Sequence, residues 1–137
     1  MRKMDTWESR MMYQEHILDL YKHPHNTGRL KGATHSHRGH NPLCGDDISI
    51  ELIVDGEKRV KDVKFHGNGC ALCIASASLI TDAVKGKHID TVLRLKKDDV
   101  LGMMKIPVSH VRLKCVLLPL EAVQKTIINS RGISSTE

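Results

Sequence analysis

The chain has 137 residues, 40% of them hydrophobic and 27% charged, a length and balance that fit one domain spanning 1–137 with a real core. No apolar run approaches the roughly 18 to 20 residues of a membrane span. The N-terminal MRKMDTWESRMMYQEHILDLY, broken by Asp5, Glu8, Arg10 and Glu15, lacks a secretory h-region, so a cytoplasmic protein without membrane partners is expected. The net charge of +5 favours acidic partners, but only four residues are Phe, Trp or Tyr and the basic residues are dispersed, which argues against nucleic acid.

In chain order, Met12, Ile17, Leu20 and Tyr21 recur at helical spacing and predict a first helix over about residues 11–22, ended by His23-Pro24 and Asn26-Thr27-Gly28. RLKGATHSHRGHNP follows, polar and Gly-rich, read as a loop with at most a short edge strand. Ile48, Ile50, Leu52 and Val54 then alternate with Asp47, Ser49, Glu51 and Ile53, the period of two of a half-buried strand. Asp55-Gly56 supplies turn chemistry, and Val60, Val63 and Phe65 return as an imperfectly alternating partner that ends at Gly67. From Ala71 the period becomes helical, with Leu72, Ala75, Leu79 and Ala83 on one stripe and Gly86 as the stop. Two short helical pieces are expected over 88–93 and 98–104. A last helix is expected to begin at Cys115 or Leu118 and run to Asn129, because Pro119 fits only a first turn. Residues 1–10 and 131–137 are expected to be flexible. Strands followed by helices give an α+β fold.

Three of the four cysteines stand at element ends. Cys44 precedes a strand, Cys70 follows the hairpin, and Cys115 opens the last helix. A hairpin returns the residues flanking its two strands to the same end of the sheet, within reach of one another. Cys70 and Cys115 lie at helix starts, where unpaired N–H groups favour a thiolate. In a reducing compartment such cysteines serve metal binding or catalysis more than disulfides. The residues alone leave three readings open: a thiolate-lined metal or sulfur site, inert buried thiols, or a redox dithiol at Cys70 and Cys73. A parallel βαβ unit, the setting of a thioredoxin-like motif, is missing, and one Cys-x-x-Cys with two isolated cysteines is not a zinc ribbon.

Several motifs bear on the choice: Tyr13-x-x-x-Ile17-x-Asp19-x-Tyr21-x-x-Pro24-x-Asn26; Asn41-Pro42-x-Cys44-Gly45-Asp46; Gly69-Cys70 followed by Ile74-Ala75-Ser76-Ala77-Ser78-Leu79; Lys85-Gly86-Lys87; and Arg112-x-x-Cys115. Together they resemble the scaffold proteins for iron–sulfur cluster assembly related to the N-terminal domain of the NifU protein, over residues 13–128. The resemblance implies a three-stranded antiparallel sheet packed against four to five helices, with the site at one end of the sheet. It implies that Cys44, Asp46, Cys70 and Cys115 bind a transient [2Fe–2S] cluster or, in the isolated protein, Zn2+. It further implies sulfur received from a cysteine desulfurase, iron from a donor, and release to apo-proteins by a carrier without turnover of its own, monomeric or weakly oligomeric; Cys115, because it begins a helix, is the expected sulfur acceptor. Three soft thiolates with one harder carboxylate suit a site that must let go.

In the better-known scaffold branch a histidine precedes the last cysteine and a Leu-Pro-Pro-Val-Lys tract recruits a chaperone. Here Lys114 stands there and the tract reads Ile106-Pro107-Val108-Ser109-His110-Val111-Arg112. The lysine resembles the other branch, zinc-bound partners of the SUF-type desulfurase, although the insertion usual in that branch is missing. His110 is a candidate fourth ligand. His23, His25, His35, His37 and His40 are candidates for a separate metal site, since His35 and His37 face one side of an extended segment. Arg112 and Lys114 are candidates for docking an acidic partner or supporting thiolates. Asp47 reads as a solvated strand-start residue. Cys73, one turn after Cys70 at a position where the family usually has another small residue, reads as a buried thiol, an auxiliary ligand or a resolving thiol.

Overall fold

The computed structural model describes residues 6–42 and 45–130, with side chains over 14–42 and 45–129. Cys44 lies outside the described residues, as do 1–5 and 131–137. The first helix, α1, spans Thr6–Lys22, so residues 6–10 belong to it. The start signal Asp5-Thr6 lies ahead of the apolar positions from which the helix was read. Ile17 and Leu20 face inward, whereas Tyr21, expected with them, is about half exposed.

The polar segment after α1 is not merely a loop. His35–Asn41 forms β1, a full edge strand paired antiparallel to β2, Asp46–Val54, which pairs in turn with β3, Val60–Asn68. The sheet order is β1-β2-β3. No apolar alternation announces β1, because its inward positions are His35, His37 and Gly39. Gly39 is buried against the last helix, where an added β-carbon would come within 3.2 Å of Ala122 and Leu118. The imperfect alternation of β3 has a physical cause. The register shifts between Ile53, opposite Asp62, and Val54, opposite Val60, so Lys61 is the extra residue and Val60 turns back into the core. The turn before β3 uses Asp55 more than Gly56. Its side chain accepts the Glu57 and Arg59 amides, and Lys58 takes the left-handed conformation.

Helix α2, Ala71–Val84, follows β3 directly. Its fully buried stripe is Cys73, Ala77, Ile80 and Val84, while Leu72 and Leu79 on the expected stripe are only half-buried. Neighbours on several sides explain this: α1, the sheet, and two later helices all pack on α2. Short helices α3, Ile89–Leu93, and α4, Lys97–Met104, fall where expected, and a 3-10 turn at His110–Arg112 leads into α5, Leu113–Ser130. Pro119 therefore lies inside α5 and not in its first turn. It cannot donate to the Cys115 carbonyl, and one residue on, the buried Ser76 hydroxyl of α2 donates to the Val116 carbonyl at 2.6 Å. That bond ties together the two helices that carry Cys70 and Cys115. Among the described residues, no helix is long and apolar enough to cross a membrane.

Candidate metal centre

Two structural features bring the candidate residues together at one end of the sheet. The loop joining β1 to β2 is short, closed by the Asn41–Asp46 pair and by the Gly45 amide donating to the Asn41 carbonyl at 2.8 Å. It delivers Asp46 as the first residue of β2, on the inward face. Beside it, Gly67 is the last residue but one of β3, with φ +135°, and an added β-carbon there would lie 2.0 Å from the Asp47 carbonyl oxygen. Only glycine lets the two strands approach there before the chain turns into α2.

Cys70 caps α2, with φ −70° and ψ 169°. No side chain of its own caps the helix; Asp46 is bonded there instead. The carboxylate, 2% exposed, accepts the Cys70 amide through Oδ1 at 3.0 Å, while Oδ2 faces Cys70 Sγ at 3.8 Å. One side chain thus both satisfies a backbone N–H and lies beside a thiol. Burial of a carboxylate is costly unless it is hydrogen-bonded or charge-paired, and the Cys70 N–H supplies one such partner. Cys115 arrives from α5, where it is the third residue and 4% exposed.

One ligand atom from each of Asp46, Cys70 and Cys115 lies within 4.8 Å of the other two, the single such metal-capable group among the described residues. Around a tetrahedral ion with bonds of about 2.0 to 2.3 Å, donor atoms stand about 3.3 to 3.8 Å apart. The 3.8 Å between Cys70 Sγ and Asp46 Oδ2 is close to the spacing of about 3.5 Å for a sulfur–oxygen pair in that range. Two sulfurs and a carboxylate suit zinc or an iron–sulfur cluster and leave a coordination position to another donor.

The other candidates go elsewhere. His25 pairs with Asp82 at 2.6 Å, His35 with the Thr34 hydroxyl at 2.6 Å, and His37 approaches the Asn129 amide at 3.4 Å. His35 and His37 do share the inward face of β1, and burial lowers the pKa of each, helped at His37 by Lys125. His40 lies on the opposite face, His23 is exposed, and no third donor joins the pair among the described residues. His110, Arg112 and Lys114 are exposed, and His110 is outside the metal-capable group. Lys114 instead borders a cleft of about 490 Å³ between β1 and α5, with His37, His40 and Lys125. Asp47 is not simply solvated. Arg38 grips it, with Nε at 2.8 and 3.0 Å from its two oxygens, and this hydrogen bonding holds its carboxyl below the usual range.

Two supporting residues escaped the sequence reading. Ser76 sits in the small-residue run Ala75-Ser76-Ala77-Ser78, a pattern that signals close helix contact but not which carbonyl is met. Asn26, noted within a motif, has its role only in three dimensions. In the left-handed conformation, it donates to Thr81 Oγ1 at 2.9 Å and Asp82 Oδ1 at 2.8 Å, fastening the loop after α1 to α2.

Residues 12–136 match the family model of the NifU-like N terminal domain. The chain is 35% identical to the zinc-dependent sulfurtransferase SufU of Bacillus subtilis (strain 168), over 88% of this chain and 92% of that protein. It is 32% identical to the iron-sulfur cluster assembly scaffold protein IscU of Escherichia coli (strain K12), over 89% of this chain and 96% of that protein. Among solved structures, a protein from Fervidobacterium islandicum AW-1 described as a scaffold for the SUF system matches with a TM-score of 0.71. Their identity is 25%, covering 87% of this chain and 98% of that one.

Proposed function

This chain belongs to the NifU-like N-terminal domain family, and from that premise we propose that it is an iron–sulfur cluster assembly scaffold. It accepts sulfur from a cysteine desulfurase, binds iron, holds a [2Fe–2S] cluster as cargo and passes it to apo-proteins. The observation that carries this reading is the convergence of Asp46, Cys70 and Cys115 within 4.8 Å. Cys44, two residues before Asp46 in the sequence, is the proposed further donor.

The roles follow from the donor chemistry. Thiolates bind iron strongly and attack sulfane sulfur, while the harder Asp46 carboxylate is the weaker ligand and the natural point of exchange. Cys115 is the proposed first acceptor of sulfur. Cys70, less buried and with its sulfur within reach, takes sulfur from the Cys115 persulfide in a thiolate exchange that leaves the oxidation level unchanged.

Lys114, beside Cys115 in the sequence and exposed on α5, favours a second reading. In it the same donors hold zinc, and the protein is a sulfur acceptor that activates a SUF-type desulfurase. Elemental analysis and absorption spectroscopy on protein purified without oxygen separate the two. The scaffold reading expects iron–sulfur absorption after reconstitution with iron and sulfide. Tightly held zinc, no cluster absorption and faster alanine production by the desulfurase would replace it with the second.

A further inference from the structure

The metal-capable group takes Cys70 and leaves Cys73, yet the two are built as a pair. Cys70 is partly exposed at the start of α2, whereas Cys73 is fully buried. Although Cys70 has extended dihedrals, its carbonyl accepts the Ile74 amide at 3.0 Å, so it already stands on the helical ladder. Helical geometry then sets the two α-carbons about 5 Å apart, inside the window of roughly 4.4 to 6.8 Å over which a disulfide closes.

The Cys73 sulfur also points back toward the helix start. A β-carbon added at Gly69 would lie 3.0 Å from it and 3.6 Å from Asp46 Oδ1. The missing side chain at Gly69 therefore keeps open the space between the buried thiol and the segment that carries Cys70. A thiol of this kind is shielded from outside reagents and close to a more open neighbour, the arrangement of a resolving cysteine.

We propose that Cys70 and Cys73 act as a dithiol that reduces sulfane sulfur held on Cys70 to sulfide. This rests on the sulfur-accepting role proposed above. A sulfur atom delivered from a desulfurase is at the sulfane level and needs two electrons to become the sulfide of a cluster. In the step, Cys73 attacks Cys70 Sγ of the Cys70 persulfide. The bond between Cys70 Sγ and the outer sulfur breaks, and a bond between Cys70 and Cys73 forms. The outer sulfur leaves with the electron pair and takes up the Cys73 proton, departing as hydrogen sulfide. The outer sulfur gains two electrons, and the two cysteine sulfurs lose one each. An external dithiol reductant reopens the disulfide by exchange and returns Cys70 to the metal-capable group.

The test uses the full chain, reduced, metal-free and without oxygen, with inorganic polysulfide as the sulfur source. After excess reagent is removed, intact mass, peptide mapping and free sulfide are measured for the wild type, Cys73→Ser and Cys73→Ala. The expected wild type carries a Cys70–Cys73 disulfide, with sulfide released in step with it. Both variants instead retain one added sulfur on Cys70 and release sulfide no faster than a reagent blank. The alanine variant preserves the test if a buried serine hydroxyl disrupts folding. A wild type that keeps its added sulfur as the variants do, or a disulfide mapped to Cys70 and Cys115, overturns the inference and leaves sulfur acceptance standing. If no form takes up sulfur, sulfur acceptance itself falls, and the dithiol step falls with it.

Discussion

Replacing Asp46 separates the two interactions of its side chain. In Asp46→Asn the amide oxygen keeps the bond to the Cys70 N–H, made at 3.0 Å, and only the anionic oxygen facing the thiol is lost. In Asp46→Ala both are lost. A hydrogen bond to a charged acceptor contributes about 1.5 to 3 kcal/mol, so the metal-free Ala variant is expected to lose about that much stability in urea denaturation. The metal-free Asn variant is expected to stay within about 1 kcal/mol of wild type, because removing a buried charge offsets part of any loss. Zinc affinity behaves differently. Perturbing even an outer partner of a metal site weakens binding about 10- to 100-fold, and loss of a ligand oxygen is expected to reach at least that range in both variants. Competition with a chromophoric chelator measures it. An Asn variant that binds zinc as tightly as wild type would show that Asp46 only caps α2. A metal-free Ala variant as stable as wild type would show that the cap contributes nothing.

Cys70→Ser is expected to abolish zinc binding in the same competition assay, while Cys73→Ser leaves it within about threefold, a difference of less than about 1 kcal/mol; equal damage from both would make the Cys-x-x-Cys a shared ligand pair. Gly67→Ala places a β-carbon 2.0 Å from the Asp47 carbonyl at a φ of +135°. It is expected to cost about 3 kcal/mol or more, seen as a large fall in Tm, whereas Gly56→Ala, with nothing within 4 Å, leaves Tm nearly unchanged. Because burial lowers the pKa of His35 and His37 in the folded chain, the unfolded chain binds protons first on acidification. Their contribution is fully present above about pH 6.5 and is lost as pH falls through the depressed folded values. The double variant His35→Asn/His37→Asn is therefore expected to lose less Tm than wild type between pH 7 and pH 5, and an equal loss in both would contradict that accounting.

Much of the fold was legible because local rules and tertiary packing agreed. The alternation of residues 47–54 marked β2, and the switch of period at Ala71 marked α2 to within a residue. Where one-dimensional signals were weak, the reading strayed. β1 has histidines and a glycine where a strand normally shows apolar residues, and its pairing with β2 supplies what its composition does not. Propensity alone places Pro119 in a first turn, but packing of α5 on α2 and the sheet tolerates one missing helical hydrogen bond.

For the site, local spacing specifies the residue types and their places at element ends, and therefore soft-donor chemistry near one end of a small sheet. Only the packed fold fixes what spacing cannot encode: that Asp46 turns inward and bonds the Cys70 amide, that Cys115 reaches the same point from α5, and that His25, His35 and His37 meet other side chains. It also divided Cys70 from Cys73 by burial within a single helical turn. Distances between residues far apart in the chain depend on strand register and helix packing, and those are fixed only when the whole core closes.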